Sequence, residues 1–233
     1  MTLNKAKGRM FKSVGWTWNP IAGCDHDCAY CWARSLSERY NRSFEPQFRE
    51  KYLNDKMPND GSWIFVGSMG DTFCSGVQDT HIYQLLSFIK QDKSNNKFLL
   101  MTKNPARLMM WRAYLKEIKE KIIIGTTIET NRDTSSWSNA ISTEMRKEAL
   151  NFAKIQGFNT FVSMEPLADF DLGVISAWLL CIDPEAIEIG LENYSNYTTK
   201  PNEEKIKQLL DWLDEYDFTY VLKDNLVHLN GGN

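Results

Sequence analysis

No apolar run in these 233 residues approaches the ~20 needed for a membrane-crossing helix, so none is expected. The basic start of the chain is not followed by the apolar stretch of a secretory signal, and a cytoplasmic protein is expected. Strong charge of either sign is missing too. A net charge of −3 argues against a protein held to nucleic acid by bulk electrostatics. Histidine is scarce, at three residues, and no low-complexity linker or sequence repeat interrupts the chain. Five cysteines, an odd number with three crowded together, do not make a disulfide framework. They fit a reducing compartment, where such clusters bind metal or do chemistry. Hydrophobic content of 42% and charged content of 24% are those of an ordinary globular protein. One domain over residues 1–233 is expected, headed by a basic arm (1–13) carrying Lys5, Lys7, Arg9 and Lys12. The arm reads first as a solvated tail and second as a contact for a polyanion.

Against that background stands Gly23-Cys24-Asp25-His26-Asp27-Cys28-Ala29-Tyr30-Cys31-Trp32. Three cysteines at C-x3-C-x2-C spacing bring three thiolates to one inorganic centre from a single loop. Fe–S clusters are usually held by four thiolates, so three leave one iron open to another ligand.

The rest of the chain has a rhythm. Strand composition marks 14–19, stopped by Pro20, and apolar runs of strand length follow at 63–69, 97–102, 122–128, 159–164, 186–191 and 219–222. Helical patterns lie between them at 33–40, 81–91, 105–120, 142–156, 172–180 and 203–216. The runs are continuously apolar, as in parallel strands buried on both faces. Six βα units and one further strand are expected, forming a partial barrel or a doubly wound open sheet. In either, ligands sit at the carboxyl ends of the strands. The residues there are Ser68, Met69, Gly70 and Asp71; Lys103; Thr126, Thr127 and Glu129; Glu165; Glu192; and Lys223.

Cys24, Cys28, Tyr30 and Cys31 after a first strand resemble the radical S-adenosylmethionine (SAM) superfamily. The chain is also similar to a phage and bacterial radical-SAM-like family. That likeness rests on Thr17-Trp18-Asn19-Pro20, Thr102-Lys103-Asn104-Pro105 and Ser163-Met164-Glu165-Pro166-Leu167, with Lys223 late in the chain. The resemblance implies an α/β fold, a partial (β/α)6 TIM-like barrel with an extra C-terminal strand. It implies a [4Fe–4S] cluster on Cys24, Cys28 and Cys31, with S-adenosylmethionine at the open iron. Reductive cleavage to a 5′-deoxyadenosyl radical would follow, and hydrogen abstraction from a substrate. Tyr30 and Trp32 would shield the cluster. Ser68, Met69, Gly70 and Asp71 stand where the superfamily carries a Gly-Gly-Glu-like motif for the SAM amino group. Thr126, Thr127 and Glu129 would reach the ribose, and Lys103 would pair with a carboxylate or an anionic substrate. Glu165 and Glu192 would complete the cofactor wall. Where phage-type relatives carry Gly-Gly-Glu-Ser-Gly, this chain reads Ile189-Gly190-Leu191-Glu192-Asn193. An external one-electron donor of the flavodoxin or ferredoxin kind is implied. The substrate would be a small molecule, a nucleotide or a nucleic-acid base, and a phage-encoded copy would work in the host cytoplasm. Trp16, Trp18 and Trp32 offer stacking faces for a base.

Two other readings stand beside this one. His26 within the loop makes a Cys3His zinc site, and so a metal-stapled binding module, an alternative. A plain electron-transfer Fe–S protein is the other. Cys74 is a candidate hydrogen-atom donor, set against a small buried residue. Cys181, in the apolar run 178–182, reads as core, and His81 and His228 read as surface residues.

Overall fold

The computed structural model describes residues 3–193 and 197–229. Its elements in chain order are β1 (Leu3–Lys5), β2 (Val14–Trp18), β3 (Ile21–Ala22), α1 (Trp32–Arg39), β4 (Gln47–Phe48), β5 (Trp63–Val66) and α2 (Asp79–Gln91). There follow β6 (Lys97–Met101), α3 (Pro105–Met110), α4 (Arg112–Glu117), β7 (Ile122–Thr127), α5 (Thr143–Ile155), β8 (Asn159–Met164), α6 (Leu172–Ile182), β9 (Ala186–Ile189), α7 (Glu203–Glu215) and β10 (Tyr220–Leu222). One sheet runs β1-β2-β5-β6-β7-β8-β9-β10, and β3 pairs with β4 apart from it. Within the larger sheet every described pairing from β2 to β10 is parallel and β1 runs antiparallel, as the separate β3–β4 pair does. Six βα units and a last strand thus make a half-barrel, as expected; the flat doubly wound alternative does not apply.

Period-two alternation sorts the strand residues between two cores. Ile64, Val66, Phe98, Leu100, Ile122, Ile124, Val162, Met164, Ile187 and Ile189 face the helices in the larger core. Trp63, Phe65, Leu99, Met101, Ile123, Phe161 and Ala186 belong to the smaller one, on the concave side. Their apolar floor would face water if nothing covered it. What covers it is the basic arm, and this corrects the solvated-tail reading. β1 pairs with β2, Leu3 opposite Trp18, and Met10 and Phe11 then turn across the floor. The Phe11 ring centroid lies 5.3 Å from that of Phe65 and 5.3 Å from that of Phe161. Among the described residues of the arm, Asn4, Lys5, Lys7, Gly8, Arg9 and Lys12 stay exposed.

Two smaller differences have plain causes. The expected helix 105–120 is broken at Trp111 into α3 and α4. The break lets Leu108 and Met109 of one piece and Leu115 of the other reach the same core. Cys181 is exposed rather than core, because the buried stripe of α6 runs through Ile175, Ser176, Leu179 and Ile182 and passes it by.

Candidate active site at the mouth of the half-barrel

β2 delivers the cysteine loop, and the Thr17-Trp18-Asn19-Pro20 block shows how. Asn19 Oδ1 accepts from the Ser68 hydroxyl at 3.2 Å and the Met69 amide at 2.8 Å, tying the end of β2 to the loop after β5. The two loops then bridge directly: the Gly23 amide donates to the Met69 carbonyl at 3.0 Å, and the Asp71 amide to the Gly23 carbonyl at 3.1 Å. Such close approach demands glycine on both sides. A Cβ on Gly70 would lie 2.2 Å from the Gly23 carbonyl oxygen. Gly23, at φ +89°, has the Glu45 carbonyl 2.2 Å from where its own Cβ would be. Gly70→Ala is therefore expected to cost about 1–3 kcal/mol, the range for an overpacked interior, read as a lower thermal midpoint.

Each loop sulfur meets a hydrogen-bonding group. Cys24 Sγ accepts from the His26 amide at 3.4 Å, and Cys31 Sγ from the Arg34 amide at 3.4 Å as the N-cap of α1. Cys28 Sγ lies 3.2 Å from the Ser138 hydroxyl. Burial pushes the Cys31 thiol up; Cys24 is pushed up further by a hydrogen bond with Cys74 and by burial.

His26 is turned away from the sulfurs. Its Nε2 lies 2.9 Å from Asp71 Oδ2, both side chains buried. The same Asp71 oxygen takes the Lys103 amide at 2.8 Å, and its other oxygen takes the Phe73 amide at 2.8 Å. Burial would raise the Asp71 carboxyl, but the His26 bond and charge outweigh it and hold it below the usual range. Asp71 borders the cavity with both oxygens already committed to the loop framework.

A second ion-pair network stands behind Tyr30. Its hydroxyl donates to Glu129 Oε1, and the Lys103 ammonium reaches both that oxygen and the Tyr30 hydroxyl. Arg146, from α5, donates to Glu129 Oε2 at 2.8 Å and to the Thr127 carbonyl at 2.6 Å. Glu129 and Arg146 are wholly buried. Burial acts to raise the Glu129 carboxyl, yet the charges of Arg146 and Lys103 prevail and bring it down to about 2. Tyr30 is pushed well up, by burial and then by the Glu129 charge. Lys103 gains its place from its own block: Asn104 caps α3 through Oδ1 and the Arg107 amide at 3.2 Å, with Pro105 opening the helix.

The far wall carries a third set. Lys223 Nζ lies 3.3 Å from Glu165 Oε2, 3.3 Å from Glu188 Oε2 and 3.0 Å from the Arg9 carbonyl. Glu188, fully buried in β9, also accepts the Lys12 and Ser13 amides of the arm at 3.0 and 2.9 Å. Burial raises the Glu165 carboxyl against the pull of Lys223. Glu192 accepts from the Thr198 amide at 2.9 Å and its hydroxyl at 2.7 Å.

These walls enclose one cavity of about 390 Å³. Cys24, Cys28, Cys31, Tyr30 and Trp32 line one end of it, and Ser68, Gly70, Asp71 and Lys103 the side. Thr127, Glu165 and Glu192 also line it, with Phe11 and Met10 of the arm. Seven expected residues are not on its wall: Lys223 pairs with Glu165 from outside it, Trp18 is fully buried in the core, Trp16 bonds Asp60, and four others are placed elsewhere. Met69 serves through its backbone, Thr126 bonds the Thr102 carbonyl, Glu129 lies behind Tyr30, and Cys74 is fully buried beside Cys24. Glu129 thus holds Tyr30 and Lys103 rather than opening to a ribose. Arg146 and Glu188 were not anticipated. Arg146 had a signal, since it continues the buried Leu150–Ala153 side of α5 back toward Thr143. Glu188 is a lone carboxylate within an apolar run.

The donor set suits a cluster held by three thiolates. Three cysteines share one end of a cavity, and hydrogen bonds to the sulfurs are among the levers that tune such centres. The set suits a single zinc ion poorly. Among the described residues these three sulfurs do not all lie within 4.8 Å of one another, and His26 is bound to Asp71. The space beyond the cysteines is of ligand size.

The sequence profile of a family described as "Protein of unknown function (DUF5131)" matches residues 12–181. No curated protein matches by sequence. Among solved structures, a spore photoproduct lyase variant with bound AdoMet and dinucleoside spore photoproduct is similar in fold. Its TM-score is 0.62 at 12% identity, covering 92% of this chain and 78% of that one. Spore photoproduct lyase complexed with the dinucleoside photoproduct alone gives 0.62 at 11% identity, covering 94% and 78%. SuiB of Streptococcus suis bound to S-adenosylmethionine gives 0.54 at 9% identity, covering 89% of this chain and 49% of that one.

Proposed function

From a chain that belongs to the DUF5131 family and has the fold of radical SAM enzymes, we propose a radical SAM enzyme acting on a nucleotide or nucleic-acid base. The observation that carries this reading is the placing of Cys24, Cys28 and Cys31 at one end of a ligand-sized cavity. Those three residues would hold a [4Fe–4S] cluster, and S-adenosylmethionine would lie between it and Glu165. When bound, the pair supplies one-electron cleavage of the sulfonium and the hydrogen abstraction that follows. The chain's own part is to position and to exclude water. Tyr30 is locked by Glu129 and Lys103, and its ring packs tilted against that of Trp137 with centroids 5.4 Å apart, so the cysteine loop is held from two sides. Lys103 lines the cavity with its ammonium held by Tyr30 and Glu129, and would meet a carboxylate. Phe11 and Met10 close the floor against solvent. Trp32, exposed at the entrance, offers a face for a base. The fold likeness to structures holding a dinucleoside photoproduct supports the substrate class. An electron would come from an external flavodoxin- or ferredoxin-like donor. Among the described residues no helix is long and apolar enough to cross a membrane.

The test is anaerobic reconstitution with iron and sulfide, reduction, addition of S-adenosylmethionine, and chromatography for 5′-deoxyadenosine. Cluster-dependent 5′-deoxyadenosine is expected, and its yield should rise with the right nucleoside or oligonucleotide. A protein that forms no cluster and cleaves no S-adenosylmethionine overturns the reading.

A further inference from the structure

The basic arm carries charge that the proposed activity does not use. Two of its four cations, Lys5 and Lys12, are engaged outside the cavity. The Lys5 ammonium lies 6.0 Å from the centre of the Trp16 ring, and Lys12 pairs with Asp224 at 3.2 Å. The other two, Lys7 and Arg9, line the cavity itself, as Trp32 does.

A tight turn holds them there. The Met10 amide donates to the Lys7 carbonyl at 3.4 Å, which makes Gly8 and Arg9 the two central residues. Gly8 stands at φ +62°, a conformation that suits glycine at the first central position. Both ends of the turn are fixed. Before it, the Ala6 amide donates to the Gly15 carbonyl at 2.8 Å; after it, Glu188 takes the Lys12 and Ser13 amides at 3.0 and 2.9 Å. Lys223 holds the Arg9 carbonyl at 3.0 Å. With the backbone so bound, Lys7 and Arg9 stay exposed, one cation on either side of a glycine. Among the described residues the Gly8 amide has no acceptor, and turn amides are among the donors that form anion-binding concavities.

The carboxylates that share the cavity wall have partners of their own. Asp71 is bound to His26, Glu165 to Lys223 and Glu192 to Thr198. The turn therefore adds positive charge to a wall whose negative groups are already answered. At a net charge of −3 the chain as a whole does not gather polyanions, so a phosphate contact has to be local. An arginine fork and a lysine point charge beside one glycine match the chemistry of phosphate oxygens.

We propose that the Lys7-Gly8-Arg9 turn anchors the phosphate of the substrate. The ligand is a nucleotide phosphate, a monoester in a free nucleotide or a diester in a strand, with its base reaching into the cavity. Such an anchor rests on the nucleotide substrate of the proposed function and narrows it, since a bare nucleoside lacks the group that is held. No bond is made or broken at the turn; Lys7 and Arg9 hold and orient.

The experiment is a binding titration of the full-length protein, before and after reconstitution, with thymidine, thymidine 5′-monophosphate and a single-stranded octanucleotide of mixed sequence. At least one phosphate-bearing probe should bind at least about tenfold tighter than thymidine, as hydrogen bonds to a charged group give. A tighter octanucleotide assigns the anchor to a strand, and a tighter monophosphate assigns it to a free nucleotide. Lys7→Gln/Arg9→Gln, with an unchanged melting point, should bring the phosphate probes down to the affinity of thymidine. For the octanucleotide each lost contact should also flatten the slope of log affinity against log salt by about 0.7, so about 1.4 for the pair. Lys90→Gln, on α2 and outside the cavity, should bind as the parent does. A double variant that binds like the parent overturns the proposal. So does thymidine binding as tightly as its monophosphate and the octanucleotide, or binding of neither phosphate probe. In the parent alone, affinity for the phosphate probes that does not fall with added salt overturns it as well. Cluster content and 5′-deoxyadenosine are read on the same samples. Phosphate binding that depends on Lys7 and Arg9, without S-adenosylmethionine cleavage, removes only the radical chemistry; cleavage without such binding removes only the anchor.

Discussion

Glu129→Ala is expected to destabilise the protein by about 3–5 kcal/mol, the cost of leaving a buried charge without its partner. The substitution strips Arg146, wholly buried, and Lys103 of the carboxylate between them. Arg146 would keep only carbonyl partners, those of Thr127 and Ile141. Chemical denaturation of parent and variant at neutral pH measures the gap, and a difference below about 1 kcal/mol, the worth of an exposed pair, would sink the idea. Acid should close it. The Glu129 carboxyl is brought down to about 2 in the folded protein from 4.5. Between those values the unfolded chain takes up the proton first, so parental stability falls with pH. Compared with Glu129→Gln, the parent's advantage should be full above pH 4.5 and vanish as pH falls through about 2. An advantage that grew on acidification would contradict the assignment.

Replacing Cys24, Cys28 and Cys31 together by Ala should reduce reconstituted iron and sulfide, and 5′-deoxyadenosine formation, to background. Loss of mere outer partners costs metal sites about 10–100-fold, so loss of every ligand should leave nothing measurable. The fold should survive, since the loop is also pinned by backbone bonds. The Cys24 amide reaches the Phe44 carbonyl at 2.8 Å, the Ala29 amide the Trp137 carbonyl at 2.9 Å, and the Asn139 amide the His26 carbonyl at 2.7 Å. The modest cost is that of the Cys31 cap on α1, about 0.5–2 kcal/mol. Cys181→Ala, on the exposed side of α6, is the matched control and should keep the iron content of the parent. Iron retained in the triple variant would place the centre elsewhere.

What could be read directly from the sequence were features carried by neighbours in the chain. The parallel strands announced themselves because runs such as Ile122–Thr127 are buried along their whole length. The cysteine loop did so because its spacing is local. Helix starts were legible as well: those expected at 105, 142 and 203 fall at Pro105, Thr143 and Glu203. The parts that escaped depend on residues far apart. Glu129 looks like any strand-end carboxylate until Arg146, on a later helix, is known to face it. Lys12 and Ser13 cannot be seen as a clamp without Glu188, more than 170 positions away. The arm was misread for the same reason. Its charges suggest water, while the two residues that matter, Met10 and Phe11, are apolar and find their partners only after the sheet has curled.

The closed floor also orders events during synthesis. The cysteine loop, at 24–31, is made early, but the wall opposite it needs the Lys223 contact with Arg9, which spans 214 positions. Contacts of such separation form late, after the entropy of closing the intervening chain has been met. While the ribosome is still making β9 and β10, the thiols therefore sit in a half-built bowl open to water. Installation of any centre in them belongs after Lys223 has emerged, when Phe11 has settled on Phe65 and Phe161.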